Sequence, residues 1–328
     1  MRLAERPERR RLGMRFLAKS FEIPTLLVLG LSLGAGAGFG VHEMLKPTLV
    51  TIEGDPSAYM MDAEAAFEKY ETAKRKGTPL ETALEPAEMI SVAHTLFDAE
   101  EYSYCEGIGV SRAMGLVDQG IQSWKVRDKD RYFEESNSFS SFVALYNRMY
   151  QEGDSTTKYW GNTPNYGGNT PEEVSNEQYA SEMGRQVSES IVYLVSPKTD
   201  SPVDLSGKGL SAIKKHDGGY TVDFEADPAS STLRYVHQMK TISNLKEFPS
   251  FDYVHLTYEL DEDLNLLYFR NYESYRATLA SGIGSTCEGS MTTVFRSVGP
   301  GEAAIPLPSD PSIAYPSDEA ALLQKYGY

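Results

Sequence analysis

The residues with the clearest potential for covalent chemistry lie in the last third of the chain. Cys287 follows Thr286, and Arg296 comes nine residues later, so a thiol and a cation share one stretch of sequence. A cysteine becomes a nucleophile when a nearby base or cation lowers the pKa of its thiol. His255 is a candidate proton donor for such a thiol. Cys287, Arg296 and His255 are therefore the catalytic candidates of this sequence.

This arrangement resembles that of the sortases, which are exported, N-terminally anchored cysteine transpeptidases. Their catalytic cysteine ends a Thr-Leu-x-Thr-Cys strand and is followed by an arginine. Thr286, Cys287 and the spacing to Arg296 match, whereas Ile283 and Gly284 replace the Thr-Leu pair. The resemblance implies a divergent cysteine transpeptidase as one alternative function.

Signatures of metal and cofactor chemistry are weak. The five histidines form no His-Glu-x-x-His motif and no close pair, so we expect no zinc site. Asp261–Asn265 begins like a calcium loop, but Leu266 and Tyr272 stand where that loop needs glycine and glutamate, so a charged hairpin turn is favoured. Glu134-Glu135 points to opposite faces of a strand and cannot form a catalytic pair. We expect no metal and no cofactor, and a non-enzyme is favoured.

One apolar run, residues 23–41, contains no charged residue and follows a basic arm. Its helix would span about 28 Å, close to the thickness of the hydrocarbon core. The positive flank predicts a single-pass anchor with a cytoplasmic N-terminus and an extracytoplasmic body. The alternative is a signal sequence cleaved at Ala35-Gly-Ala37. Gly30, Gly34 and Gly38 form a small-residue face that could contact another membrane helix.

The charge distribution excludes one class of partner. The chain has a net charge of −16: the first 21 positions carry seven basic and two acidic residues, and the rest of the chain carries 24 basic and 45 acidic residues. Because the remaining surface is strongly acidic, nucleic acid is not an expected partner. The two cysteines, Cys105 and Cys287, could form a disulfide outside the cytoplasm or remain two buried thiols.

The first half of the exported part is predicted to contain helices followed by strands. One helix begins at Asp55-Pro56 and ends at Gly77, and a second runs from about Pro86 to Phe97. Three strands follow at 104–110, 119–126 and 131–136, whereas 139–150 is ambiguous between strand and helix.

The second half shows a short helix ending near Gly184 and further strands. Alternating polarity predicts a strand around Tyr220–Glu225, and a hairpin is predicted from Tyr253–Leu260 and Leu266–Tyr275. The remaining predicted elements are strands at 191–195, 276–282 and 291–296 and a helix at 227–242. The proline-rich tail is predicted to be extended or disordered with a short helix at 317–325, either a solvated end or a partner-binding peptide.

Together these elements predict an α+β protein: a transmembrane helix followed by two α+β domains, each a curved antiparallel sheet with covering helices. The predicted boundaries are 1–22 (basic cytoplasmic arm), 23–41 (transmembrane helix or signal sequence), 42–151 (first domain), 152–174 (linker), 175–296 (second domain) and 297–328 (tail).

The segment from Gln119 to Glu135, a strand, a charged turn and an aromatic strand, resembles the opening of LolA- and LppX-like proteins, over about residues 86–150. In those proteins a curved sheet surrounds lipid, so the resemblance implies an exported, non-catalytic carrier or sensor. We therefore expect a membrane-anchored binding or scaffolding protein of the cell envelope, with a lipid, lipoprotein or peptide as its ligand. A structural subunit of an envelope assembly is a further alternative.

Overall fold

The computed structural model describes residues 63–113, 117–139, 144–161, 163–183, 186–188, 213–225, 250–278 and 284–328. Among these residues, no helix is both long enough and apolar enough to cross a membrane. The predicted anchor at 23–41, with its glycine face, lies outside them. The predicted strand at 191–195 and the predicted helix at 227–242 lie outside them as well.

The described residues form eleven strands: β1 (Tyr102–Ala113), β2 (Val117–Asp128), β3 (Arg131–Phe139), β4 (Ala144–Glu152), β5 (Ser155–Gly161), β6 (Glu172–Ser175), β7 (Ile213–His216), β8 (Gly219–Glu225), β9 (Ser250–Asp261), β10 (Leu266–Thr278) and β11 (Gly284–Ser297). They pair in one antiparallel sheet with the order β6-β5-β4-β3-β2-β1-β11-β10-β9-β8-β7. The predicted α+β class is confirmed, but the described residues form one large sheet with few helices and not one sheet in each of two domains.

Within the described ranges, five α-helices accompany the sheet: α1 (Ala63–Lys76), α2 (Leu80–Ala83), α3 (Pro86–Asp98), α4 (Asn176–Met183) and α5 (Glu319–Tyr326). The start of α3 combines a capping box between Glu85 and Glu88 with proline at the first helical turn, which satisfies N–H groups at the helix end. Helix α1 ends at Gly77, whose φ of 64° is a left-handed conformation that glycine adopts without strain. The predicted C-terminal end of the first helix and both ends of the second are confirmed, whereas the predicted start at Asp55-Pro56 lies outside the described residues.

The two faces of the sheet carry different coverings. Because strand side chains alternate, the register places Cys105, Phe295 and Tyr258 on one face, which we name the helix face. Glu106 and Arg148 lie on the opposite face, which we name the tail face.

Helix α3 packs on the helix face through aromatic side chains. The Phe97 and Phe295 rings meet edge to face with centroids 5.0 Å apart, and Tyr258 stacks on Phe269 at 5.3 Å. Each fully buried side chain of this size contributes about 1.5–3 kcal/mol relative to its exposed state. His94 of α3 joins this core, where its Nε2 lies 3.1 Å from the Tyr258 hydroxyl.

The sequence predicts two separate sheets, and on this point it is wrong. β1 pairs with β11 along almost its whole length, from Ser103 opposite Ser297 to Ala113 opposite Cys287. The reason is that each predicted sheet would leave one long unpaired edge, and antiparallel pairing of the two removes both edges. β5 and β6 also lie within the predicted linker, because the run Ser155–Trp160 is rich in β-branched and aromatic residues.

Most of the other predicted strands are found. The first three strands and the hairpin of β9 and β10 are confirmed, and the ambiguous segment is the strand β4. The first residues of the separate strand predicted at 276–282 belong to β10, which continues to Thr278, and the rest of that prediction lies outside the described residues.

Candidate functional site

Five polar residues on the helix face are buried without completing their hydrogen bonds. Their exposed fractions are 3% or less, and each has a side-chain atom with no hydrogen-bond partner among the described residues. We name this group the polar patch: Ser111, Gln119, Ser123, Asn271 and Thr293.

The patch is assembled from four adjacent strands. Ser123, Gly107 and Thr293 lie in one transverse row across β2, β1 and β11. A Cβ at Gly107 would lie 2.8 Å from Ser123 Oγ and 2.9 Å from Thr293 Oγ1. The nearest atom to that Cβ would be Met291 Cε at 2.2 Å, so glycine at this position makes room for the end of the Met291 side chain between the two hydroxyls. Asn271 lies in the next row, opposite Met291.

The unpartnered atoms of the patch include both donors and acceptors. Gln119 Nε2 is a donor, Asn271 Oδ1 is an acceptor, and the hydroxyls can act as either. Asn271 uses its Nδ2 to donate to Glu273 Oε2 over 3.3 Å. A buried polar atom without a partner costs about 1–3 kcal/mol, so such atoms mark a place where a ligand or water is expected.

The patch borders apolar side chains. Ile121 and Met291 lie in the row next to Ser123 and Thr293, and both are nearly inaccessible to solvent. On the other side, a cavity of about 30 Å³ is lined by Cys105, Lys125 and Phe295, among other residues. Apolar side chains therefore lie between the polar rows of the patch, and a small, partly open space lies beside Ser123 and Thr293.

A second candidate site lies on the tail face, where two charged residues are completely buried. Arg148 on β4 donates from Nε to Glu135 Oε2 on β3 over 2.7 Å, and both side chains have no exposed surface. The guanidinium also lies 4.1 Å from the centre of the Tyr166 ring. A buried pair of this kind is tolerated only if its remaining hydrogen-bonding groups are satisfied.

Those groups are satisfied by the C-terminal tail. Arg148 donates to three main-chain carbonyls: Leu307 and Asp310 from Nη1, both over 2.9 Å, and Pro311 from Nη2 over 2.6 Å. The predicted solvated or disordered tail is therefore wrong for this segment. The proline-rich residues between β11 and α5 form no helix or strand, and their main-chain carbonyls are available to the buried arginine.

Glu135 binds the next part of the tail. Its Oε1 accepts from the Ser312 hydroxyl over 2.7 Å, from the Ile313 N–H over 3.2 Å and from the Tyr315 hydroxyl over 3.3 Å. Burial and the Glu135 carboxylate raise the pKa of Tyr315 well above its usual value, so its hydroxyl keeps the proton it donates. We name Glu135, Asn137 and Arg148 the clasp.

Helix α5 fixes the end of the tail on the same face. Lys325 donates to Glu106 Oε2 over 2.7 Å, and the Tyr326 hydroxyl donates to the same oxygen. Arg296 donates to the main-chain carbonyl of Tyr326 over 2.7 Å. The predicted short C-terminal helix is confirmed as Glu319–Tyr326, and Asp318 caps it.

The structure does not bring the three catalytic candidates together. Cys287 is fully buried on the helix face, where burial and the neighbouring thiol raise the pKa of Tyr275. Arg296 lies nine residues away on β11, about 30 Å along the strand, and an odd separation places it on the tail face. His255 lies on the tail face of β9, also opposite the thiol.

Both cysteines are buried thiols. In the register of β1 and β11, the residue opposite Cys287 is Ala113, eight positions from Cys105. The two Cα atoms are therefore about 26 Å apart along the strands, well beyond disulfide distance. Of the two alternatives that the sequence leaves open, the structure has two buried thiols.

The acidic turn between β9 and β10 is closed by its own hydrogen bonds. Asp261 Oδ1 accepts from the N–H groups of Asp263 and Asn265 over 2.9 and 2.8 Å. The predicted charged hairpin turn is confirmed. Among the described residues, no group of three potential metal ligands is found.

Sequence reasoning missed both sites. Glu134-Glu135 is recognised as a pair with opposite directions, and the structure confirms this, but nothing local shows that Arg148 pairs with Glu135. One signal was present. Glu135 and Arg148 are charged residues within strands that also contain aromatic residues, and such a charged side chain can be buried if it has an ionic partner. The polar patch depends on the pairing of β1 with β11, which no local pattern shows.

Comparison with solved structures shows a distant likeness. No protein-family model and no curated protein matches the chain. The crystal structure of a LolA superfamily protein from Nitrosomonas europaea is similar over 66% of this chain and 96% of that one, with 9% identity and a TM-score of 0.22. At that identity and score, the likeness assigns neither a ligand nor an activity to this chain.

Proposed function

We propose that this chain is a non-catalytic binding protein of the cell envelope, which holds an amphipathic ligand on the helix face of its sheet. The observation that carries the proposal is the polar patch, whose buried atoms have no partner among the described residues. A lipid or lipidated peptide supplies the missing hydrogen-bonding groups. Its hydrocarbon part would lie against apolar neighbours such as Ile121 and Met291.

The composition of the patch favours a neutral polar group on the ligand. All five patch residues are uncharged, and Glu273 lies two positions from Asn271 on the same face of β10. A free carboxylate placed here would be close to the Glu273 side chain, which is also buried. Ester or amide groups can accept from Gln119 and the hydroxyls without that repulsion.

The location in the envelope is proposed from the N-terminal sequence. Basic residues precede the apolar run 23–41, which favours a retained anchor with the sheet on the far side of the membrane. A binding protein tethered in this way would meet its ligand close to the bilayer.

Native mass spectrometry of the full-length chain, purified in mild detergent, tests the proposal. We expect a retained amphiphile that collisional activation releases and that solvent extraction identifies. The double variant Gln119→Met, Thr293→Val removes patch hydrogen bonds at nearly constant volume, and we expect it to retain at least fivefold less ligand.

The matched control is Thr156→Val. Thr156 is a fully buried threonine on β5, outside the patch, whose hydroxyl donates to Asn176 Oδ1 over 2.8 Å. This variant should retain the ligand at the wild-type level. A wild-type mass equal to that of the bare chain, or equal ligand retention in the double variant, contradicts the proposed function.

A further inference from the structure

The C-terminal tail crosses the tail face before it returns. It leaves the sheet after Ser297, reaches the clasp on β3 and β4, and comes back to β1 and β11 as α5. Since β3 lies three strands from β11, the excursion covers about 14 Å across the sheet. The part that meets the clasp is residues 307–315, which we name the tail segment.

The tail segment is a self-contained unit. Leu307 N–H donates to Asp310 Oδ2 over 2.7 Å, and Asp310 N–H donates back to the Leu307 carbonyl over 3.0 Å, which closes a turn. Arg148 donates to the carbonyls of Leu307 and Asp310 in this turn, and Glu135 accepts from the Ile313 N–H just beyond it. Nothing in these contacts depends on how the segment is connected to β11.

The connection to β11 is a short glycine–proline turn, closed by the Glu302 N–H, which donates to the Gly299 carbonyl over 3.1 Å. Gly299-Pro300-Gly301 follows the last residue that bonds to β1, Val298. Gly301 has a φ of 79°, a left-handed conformation that glycine adopts easily, and Pro300 to Glu302 are exposed. A different direction of the chain after Gly301 leaves the sheet intact.

We propose that the clasp is a peptide-binding site that accepts the tail segment of a second copy of this chain, so that two copies can exchange tails. Every copy carries both the site and its matching segment. Exchange of the tail segment together with α5 preserves the hydrogen bonds of Arg148, Glu135 and Glu106 and changes only the path of residues 299–306, so this swapping of identical elements costs little. In a single dilute chain the tethered segment has the higher effective concentration and occupies its own clasp.

Complementation between two broken full-length copies tests this inference. The first copy carries Ile313→Pro, which removes the N–H that Glu135 accepts and leaves the clasp intact. The second carries Glu135→Gln with Arg148→Met, which breaks the clasp without leaving a lone buried charge and keeps its tail segment intact. Each copy has a different affinity tag, and both are purified in mild detergent.

Light scattering and native mass spectrometry at tens of micromolar protein should show a 1:1 heterodimer in the mixture, at least tenfold more abundant than either homodimer. Circular dichroism checks that each copy is folded, and Asn137→Leu replaces the clasp double variant if that protein does not fold. A monomeric mixture of folded copies overturns the inference, as does equal dimerisation of each copy alone.

Discussion

Two asparagines occupy similar positions on the two faces of the sheet. Asn137 on the tail face donates to Glu135 over 3.0 Å, and Asn271 on the helix face donates to Glu273 over 3.3 Å, in each case two residues along the same strand. The carbonyl oxygen of Asn137 accepts from the Tyr166 hydroxyl over 2.9 Å. That of Asn271 has no partner among the described residues.

The same contrast separates the clasp from the polar patch. At the clasp, two buried charges are surrounded by donors and acceptors from the chain's own tail. In the patch, neutral groups are equally buried but remain unpartnered within the described part of the chain. Buried polar groups that are satisfied internally stabilise a fold, whereas unsatisfied ones indicate a missing partner. The clasp is therefore interpreted as the site that binds the tail segment, and the polar patch as the site of an external ligand.

The largest expected effect comes from breaking the clasp on one side only. Arg148→Met should lower the free energy of unfolding by about 3–5 kcal/mol, because Glu135 remains buried without its cation. The double variant Glu135→Gln, Arg148→Met should lose clearly less unfolding free energy, because it leaves no buried charge without a partner. Urea unfolding of the full-length variants measures both free energies. A single variant as stable as the double variant would show that the tail does not keep solvent away from the Arg148–Glu135 pair.

The next effect concerns the core of the helix face and depends on pH. Burial lowers the pKa of His94 to about 3, so the folded chain holds this imidazole neutral. Below the ordinary pKa of about 6.5 the unfolded state binds a proton that the folded state does not, so stability falls as pH decreases from 6.5 towards 3. Between pH 7 and 5 the loss from this group is about 2 kcal/mol.

The control for this pH dependence is His94→Gln, which should lose about 2 kcal/mol less than the wild type over the same interval. His216 is largely exposed, and its pKa is raised, mainly by its hydrogen bond with the Asp217 carbonyl. Because it is present in both proteins, its contribution cancels in the comparison. Equal pH dependence in the two proteins would contradict a neutral, buried His94.

A smaller effect on stability is expected when a methyl group is added at Gly107, in the middle of the patch. Gly107→Ala places a methyl group 2.2 Å from Met291 Cε and under 3 Å from two patch hydroxyls. Because the end of Met291 can move, we expect a loss of only about 1 kcal/mol, at the low end for overpacking. Ligand retention, measured by native mass spectrometry, should nevertheless fall at least fivefold.

Gly284→Ala is the matched control, since a Cβ at Gly284 meets nothing within 4 Å. It should keep both stability and ligand at wild-type levels. Undiminished ligand in Gly107→Ala would remove the patch from the binding site and leave the contrast between the faces without a functional meaning.

Local sequence signals were sufficient for individual elements. The alternation in Tyr220–Glu225, the acidic turn at Asp261–Asn265 and the proline at the start of α3 each depend on neighbours within a few residues. They predicted strand, hairpin and helix correctly because the responsible hydrogen bonds are local.

Neither candidate site could be predicted in this way. Arg148 meets carbonyls about 160 residues later in the chain, and a proline-rich tail usually indicates a solvated end. Thr293 and Ser123 come together only because β1 and β11 pair, a contact between residues about 190 positions apart. Alternation shows which side chains share a face, but it does not show which strands are neighbours.

The most direct test of the contrast is a matched pair of threonine substitutions in ligand-free, full-length protein. Both threonines are fully buried, but the Thr156 hydroxyl donates to Asn176, whereas Thr293 Oγ1 has no partner among the described residues. We expect Thr156→Val to lower the free energy of unfolding by about 1–3 kcal/mol and Thr293→Val to leave it unchanged or raise it slightly. A loss for Thr293→Val as large as that for Thr156→Val would contradict the account, because it would mean that the patch already has its partners within the chain.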